Sequence, residues 1–318
     1  MIPSLLQIPS AVSDSKLHSV LPNNGKGDFT FDRSTGATRI NKDGLIEEVG
    51  YFSSELVQNG NFSELGSEAV TNGDFSSTSD WALATGWTIN NSKLIGDSIF
   101  GNAVQDINFT NGKTYKVTFT ISDYVKGKVR FQFTGGSTVN GTARDADGVY
   151  TQYIVATANH TDFKLRGVSD SGGFTGSIDN VSVKQVDPND RWTLSTGYSI
   201  TDKISYDGSA STYSSAYQIV GSELGKKYSV KFDCIVTSGS VQFKMGSINA
   251  DLAGQNITVS STGSYSVELT SGGTQGDRVY IVANAGNFVG SFDNISAREI
   301  KGDRPRLSYD ITNGVVED

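Results

Sequence analysis

A pattern that begins at Trp81-Ala-Leu83-Ala-Thr85-Gly86-Trp87-Thr-Ile89 begins again at Trp192-Thr-Leu194-Ser-Thr196-Gly197-Tyr198-Ser-Ile200. The match continues downstream. Gly112-Lys-Thr-Tyr115-Lys-Val117-Thr-Phe119 returns as Gly225-Lys-Lys-Tyr228-Ser-Val230-Lys-Phe232, and Gly127-Lys-Val129-Arg-Phe131-Gln-Phe133 returns as Gly239-Ser-Val241-Gln-Phe243-Lys-Met245. Last, Gly176-Ser-Ile178-Asp179-Asn180-Val181-Ser-Val183 returns as Gly290-Ser-Phe292-Asp293-Asn294-Ile295-Ser-Ala297, and the offset between copies stays within 111 to 114 residues. A repeat held at nearly constant spacing over a domain's length means one fold used twice.

Within each copy the side chains alternate. Tyr115, Val117, Phe119 and Ile121 are separated by single polar residues, as are Val129, Phe131 and Phe133. A period of two marks a strand with one buried and one wet face. Turn signals such as Asn111-Gly112, Lys126-Gly127 and Gly135-Gly136 separate the runs, and the chain's 36 glycines against five prolines suit short strands joined by tight turns. One sheet alone would leave its apolar face in water, so two sheets must close on each other. The expectation is an all-β chain of two tandem β-sandwiches of the jelly-roll kind, each with roughly seven to nine strands.

Ahead of the first copy, Glu55-Leu-Val-Gln-Asn59-Gly60-Asn61-Phe62-Ser63 is echoed thirteen residues later by Glu68-Ala-Val-Thr-Asn72-Gly73-Asp74-Phe75-Ser76. One copy is expected to supply the first module's opening strand, the other a linker or edge strand. The domains then read as an extended attachment segment (1–54), a first module (55–187), a second module (188–300) and a C-terminal segment (301–318) that returns towards the N-terminal one. Residues 1–54 have too little apolar content to fold alone and are expected to order on a partner.

The formal net charge of −8, without a cluster of Lys and Arg interleaved with aromatics, argues against nucleic acid or an anionic membrane as partner. The opening residues contain neither a basic leader nor an apolar run long enough to span a bilayer, so no signal peptide and no membrane span are expected. The lone Cys234 cannot form an internal disulfide, and it replaces Ile121 on an inward-facing alternation, which predicts a buried, inert thiol.

These residues carry a resemblance. Each module is similar to the carbohydrate-binding jelly rolls of families 4 and 9, on the strength of Asn72-Gly73-Asp74-Phe75 at its start and Asp179-Asn180-Val181-Ser182 at its end. The segments Lys16-Leu17-His18-Ser19-Val20-Leu21-Pro22, Gly27-Asp28-Phe29-Thr30-Phe31 and Gly44-Leu45-Ile46-Glu47 resemble the opening of bacteriophage virion structural proteins of the head-fibre or tail-fibre kind. In that family a Pro-Arg-Leu-x-Tyr stretch follows soon; here Pro305-Arg306-Leu307-Ser-Tyr309 comes after both modules, so the resemblance implies that the modules are an insertion. It further implies a virion protein assembled in the host cytoplasm, with capsid or tail proteins as partners, a homo-oligomeric state, and a role in capsid decoration, assembly or adhesion to a host-surface glycan. The alternative is a soluble glycan-binding protein.

For a sugar site, Trp81, Trp87 and Trp192 are the obvious stacking aromatics, but their repeat positions are also what a shared core would produce. Core packing is therefore favoured, with Tyr124, Tyr150, Tyr153 and, less so, Trp81 retained as carbohydrate-binding candidates. The family resemblance implies a structural calcium ion on Asp74 with Asp179, and on Asp293 in the second module. The competing reading has those acids holding local turns. Catalysis is not expected: His18 and His160 lie in an N-terminal segment and a polar loop, and Asp145 and Asp147 read as a turn.

Overall fold

A computed structural model describes residues 52–301 apart from 170–171, 249–253, 274–276 and 285–286. Outside that range it describes three short hairpins: Val12–Ser13 with Lys16–Leu17, Ala37–Ile40 with Ile46–Val49, and Ser308–Asp310 with Gly314–Val316. Most of segment 1–54, on which the expected ordering on a partner falls, lies outside the described residues, as does His18.

Residues 64–186 form one sandwich. One sheet runs, neighbour to neighbour, Gly148–Val155, Thr114–Lys126, Phe174–Val186, Lys93–Ile99 and Trp87–Asn90, with Leu65–Glu68 also paired to Phe174–Val186; the other runs Val139–Asn140, Val129–Thr134, His160–Gly167, Asn102–Phe109 and Ala82–Leu83. Every named strand pair is antiparallel. From Lys93 onward the chain steps repeatedly from one sheet to the other, which is jelly-roll winding. The second sandwich repeats the order strand for strand: Gly263–Thr270, Lys227–Gly239, Phe288–Glu299, Ile204–Tyr206 and Tyr198–Ile200 face Asn256–Val259, Val241–Met245, Arg278–Ala283, Ser214–Ile219 and Thr193–Leu194. Six- and five-stranded sheets exceed the expected strand number, because very short edge strands such as Ala82–Leu83 carry no alternation to detect.

The alternating residues face inward as the period of two requires. Tyr115, Val117, Phe119 and Ile121 meet Val129, Phe131 and Phe133 in the first core, where Phe109 and Phe133 stack at 3.9 Å; Phe232 and Phe243 stack at 4.4 Å in the second. Burying each such ring stabilises its module by roughly 1.5–3 kcal/mol. Cys234 is 2% exposed, and burial pushes its thiol up to about 12 from an ordinary 9.0. The thiol is therefore expected to resist alkylation at pH 8 in the native chain and to react on unfolding. Since only the unfolded chain would lose that proton above pH 9, the second module's stability should fall as pH rises from 9 towards 12. Thiol-labelling rates and a pH series of melting curves check the two statements.

The thirteen-residue echo resolves differently from expectation. Val70 and Phe75, of the second copy, lie in the first module's core, whereas Val57 and Phe62, of the first copy, lie in the second module's core. Residues 55–63 thus belong to the distant module and not to the adjacent one. The first sandwich is nested inside the second, and the chain crosses between them twice. Those crossings are tied together: Leu65 pairs with Val186, the Asp187 amide donates to the Glu64 carbonyl at 3.2 Å, and Arg191 ion-pairs with Glu64 at 3.2 Å. Phe52 also pairs with Ile300, and the Ser53 amide donates to the Glu299 carbonyl at 2.9 Å, so the two-module unit is entered and left at one place. The strand Lys16–Leu17 lies beside Gly314–Val316.

Candidate functional site

Each Asn-Gly-Asx-Phe arm is locked to the last strand of its own module by the same contacts. Glu68 accepts hydrogen bonds from the Val183 amide at 2.7 Å and the Ser182 hydroxyl at 2.6 Å; Glu55 accepts from the Ala297 amide at 2.8 Å and the Ser296 hydroxyl at 2.6 Å. A buried glutamine grips the arm's backbone from the opposite sheet. Gln105 accepts from the Thr71 amide at 2.8 Å and donates to the Thr71 carbonyl at 2.9 Å, while Gln218 does the same for Gln58 at 2.6 and 2.8 Å. Sequence reading missed this pair, although Ala103-Val-Gln105 and Ala216-Tyr-Gln218 stand at the repeat offset.

The Asp-Asn motif is the receiving end of that lock. Asn180 and Asn294 adopt positive φ of 53° and 52°, beside register shifts against the neighbouring strand. Asn suits that left-handed backbone better than most residues, and the bulge turns the Val181 and Ile295 amides onto the Gly73 and Gly60 carbonyls, each at 2.9 Å. Asp179 accepts from the Asn180 amide at 2.6 Å and Asp293 from the Asn294 amide at 2.7 Å, while Asp74 accepts from the Ser76 amide and hydroxyl. These acids hold local turns. Calcium prefers six to eight oxygen ligands, and among the described residues no three His, Cys, Asp or Glu side chains converge. Any ion held by Asp74, Asp179 or Asp293 would have to draw the rest of its ligands from carbonyl oxygens.

The aromatic candidates are also occupied. Trp81 is 7% exposed, lies 5.4 Å from Phe75 and donates from Nε1 to the Asn72 carbonyl at 3.1 Å, so it is a core residue with no face for a sugar. Trp87, Trp192 and Tyr198 are buried with it. Tyr124 is half-buried, its hydroxyl donating to the Gly127 carbonyl at 3.0 Å to close a hairpin. The Tyr150 ring lies 5.6 Å from Phe119 and 4.8 Å from the Arg144 guanidinium. Tyr153 packs against the second module's core at the junction, where burial first and the Asp202 charge second push its phenol up. Of the four only Trp81 is buried; Tyr124, Tyr150 and Tyr153 each keep part of the ring exposed. His160, expected in a polar loop, opens a strand, is 1% exposed and packs 6.1 Å from Phe133, with no hydrogen-bond partner for either ring nitrogen.

What the fold does present is the outward face of each module's shorter-stranded sheet. In the second module one row crosses five strands in register: Asn256, Lys244, Tyr280, Tyr217 and Thr193. Tyr217 and Tyr280 lie 5.2 Å apart at 44°; Arg278 sits 4.8 Å over the Tyr217 ring and donates from Nη1 to the Tyr280 hydroxyl at 3.1 Å. Tyr280 is buried among these neighbours, and Tyr217 is partly open. The first module's row is Asn140, Gln132, Lys164, Val104 and Ala82, with Gln132 donating to the Asn140 amide oxygen at 2.6 Å. The two faces share a backbone grid and an edge asparagine and differ in the chemistry placed on it: the central pair is Tyr280 and Tyr217 in one and Lys164 and Val104 in the other. Alternation in Ser215-Ala-Tyr217-Gln would have pointed Tyr217 outward, but the unbroken apolar run Val279-Tyr-Ile-Val-Ala283 hides the facing of Tyr280.

No protein-family profile and no curated protein sequence matches the chain. Among solved structures it is similar to the N-terminal CBM22-1–CBM22-2 tandem domain of Paenibacillus barcinonensis Xyn10C (9% identity, 74% of this chain and 98% of that one, TM-score 0.29). It is also similar to the tandem CBM51 modules of the Streptococcus pneumoniae family 98 glycoside hydrolase (8% identity, 83% and 99%, TM-score 0.24) and to a CBM4 structure (16% identity, 41% and 99%, TM-score 0.23). Likenesses this distant assign no residue a role.

Proposed function

We propose that the chain is a glycan-binding adhesion or decoration protein of a phage particle, working by attachment and not by turnover. The observation that carries the binding reading is the partly open Tyr217 ring, backed by buried Tyr280 on an outward sheet face beside Arg278, Gln242 and Asn256. A ring held rigidly by its strand with amide and cationic donors alongside presents a sugar with an apolar surface and hydrogen-bond partners at little entropic cost. The particle reading is supported by the sequence resemblance of the N-terminal segment and by the pairing of Phe52 with Ile300, which brings the entry into the two-module unit and the exit from it together. Several copies on one particle would sum weak contacts into firm adhesion. A soluble glycan-binding protein would use the same face and differ only in what residues 1–51 do.

Two measurements test this. In affinity electrophoresis against neutral β-glucans and xylans, Tyr217→Ala is expected to weaken retardation about tenfold, roughly 1.4 kcal/mol, with Cys234 still protected. Unaltered retardation would remove the aromatic face from the account. Separately, a chain lacking residues 1–51 should no longer co-sediment with particles, and co-sedimentation without them would favour the soluble protein.

A further inference from the structure

The first module's outward face holds three cations that no ion pair among the described residues neutralises. Arg130 stands directly opposite Arg166 on the neighbouring strand, Arg166 directly opposite Asn102, and Lys164 occupies the next outward position beside Arg166. Directly opposed residues in a sheet lie about 5 Å apart and alternate positions along a strand about 7 Å, so the three charges share one small area. Carboxylates do face the same sheet: Asp162 and Asp106 stand in register one row beyond Lys164, and Asp162 accepts hydrogen bonds from Thr161 at 3.2 Å and Thr134 at 3.4 Å. None of the ion pairs among the described residues includes Arg130, Lys164 or Arg166, although Lys93, Lys113, Lys128 and Lys184 of the same module all have acidic partners.

Like charges directly opposed across strands destabilise a sheet, so the arrangement is electrostatically incomplete. A second observation marks the same row as unsatisfied in hydrogen bonding: Arg130 Nε and Asn102 Oδ1, on either side of Arg166, are both buried without a partner. The row is also partly sheltered, since Arg130, Lys164, Arg166 and Asn102 are all half-buried and Gln132 is 3% exposed. Guanidinium groups pair with planar or tetrahedral anionic oxygens through two parallel hydrogen bonds, and shelter from water strengthens that pairing. The corresponding places in the second module are Gln242 for Arg130, Val282 for Arg166 and Tyr280 for Lys164, so this trio is not repeated there; Lys244 and Arg278 stand at other positions, Lys244 buried and Arg278 paired with Asp277.

We infer that this face binds an acidic polysaccharide, with its carboxylate or phosphate groups on Arg130 and Arg166 and with Lys164 and Asn140, the latter held by Gln132, along the sugar chain. The inference rests on the reading that the outward sheet faces are the ligand surfaces, and it adds a division of labour: an acidic ligand on the first module, a neutral one on the second. Three cations in a chain of net charge −8 are too few for a nucleic-acid backbone, for which affinity commonly draws on six to ten phosphate contacts.

The test uses the full chain in affinity electrophoresis and titration calorimetry with polygalacturonate, against a neutral β-glucan, free galacturonate, inorganic phosphate and duplex DNA. Expected is binding of polygalacturonate that weakens as salt rises, a loss of about tenfold or more in the R130Q/R166Q double variant, and unchanged behaviour of that variant towards the neutral glycan. Unchanged Cys234 labelling and melting show that the variant is folded; if it is not, K164Q with R166Q replaces it. Free galacturonate or phosphate binding as tightly as the polymer would reduce the face to an anion site and overturn the polysaccharide assignment, as would DNA competing equally well. Polygalacturonate binding that ignores both double variants overturns this inference alone, whereas a wild-type chain that binds no glycan overturns the functional reading with it.

Discussion

A chain that begins at Glu64 is expected to keep its first sandwich and lose its second. The deletion removes nothing from the first core, because the arm that closes it, Glu68 to Ser76, is retained. From the second core it removes Val57 and Phe62, the latter 5.7 Å from Trp192. It also strands buried polar groups: Gln218 loses both bonds to Gln58, and Asp187, 4% exposed, loses Asn59 at 3.0 Å. Removing a buried Phe side chain alone costs about 3–5 kcal/mol, and each orphaned buried polar group about 1–3 kcal/mol more. Against a domain stability of roughly 5–15 kcal/mol the sum is disabling. Cys234, buried in the second core alone, reports the outcome: its labelling should become fast in the truncated chain while amide exchange in Tyr115–Ile121 stays slow. Protection of Cys234 in that chain would mean that the arm is dispensable and the nesting has no energetic content.

The sequence disclosed the sandwiches because a jelly-roll core is built by alternation, and alternation survives in Tyr115 to Ile121 and in Val129 to Phe133 as a plain two-residue period. It disclosed the repeat for the same reason, since matched cores demand matched Trp81 and Trp192. It could not disclose which module each Asn-Gly-Asx-Phe arm serves. Glu55 to Ser63 and Glu68 to Ser76 are equivalent strings, and only the pairing of Glu55 with Ser296 and Ala297, about 240 residues on, separates them. Proximity along the chain pointed the other way. The aromatic candidates carry a related ambiguity: Trp81 is a core residue, while an alternating Tyr at a strand end, such as Tyr150 or Tyr153, gives no sign in sequence of the Arg144 or the second module's core that packs against one side of it. Tyr217 and Tyr280, and the opposed Arg130 and Arg166, become visible as groups only when strands from distant parts of the chain are brought into register.

Nesting also makes the two modules unequal, and Gly73→Val should show it. A Cβ on Gly73 would sit 2.0 Å from the Val181 carbonyl oxygen, a backbone atom that the bulge at Asn180 holds in place, so any side chain there must drive the arm off the last strand of the first module. Gly60 is in the same position against Ile295, at 1.9 Å. The consequences differ. With the first module folded, Glu64 and Asp187 are held together and the arm reaches the second module at no cost in chain entropy. Once that module unfolds, the arm is tethered through a flexible loop of about 120 residues, whose closure disfavours docking by roughly 4 kcal/mol, taking (3/2)RT ln n. Gly73→Val is therefore expected to abolish the first module's cooperative melting and, in addition, to raise the Cys234 labelling rate by orders of magnitude. Gly60→Val should expose Cys234 yet leave exchange in the first module untouched, since that module's chain from Glu64 to Val186 is continuous whatever the second does. Equal effects of the two substitutions on both modules would contradict the nested arrangement. So would a Cys234 indifferent to Gly73→Val, because the closure term follows from connectivity and from no individual contact.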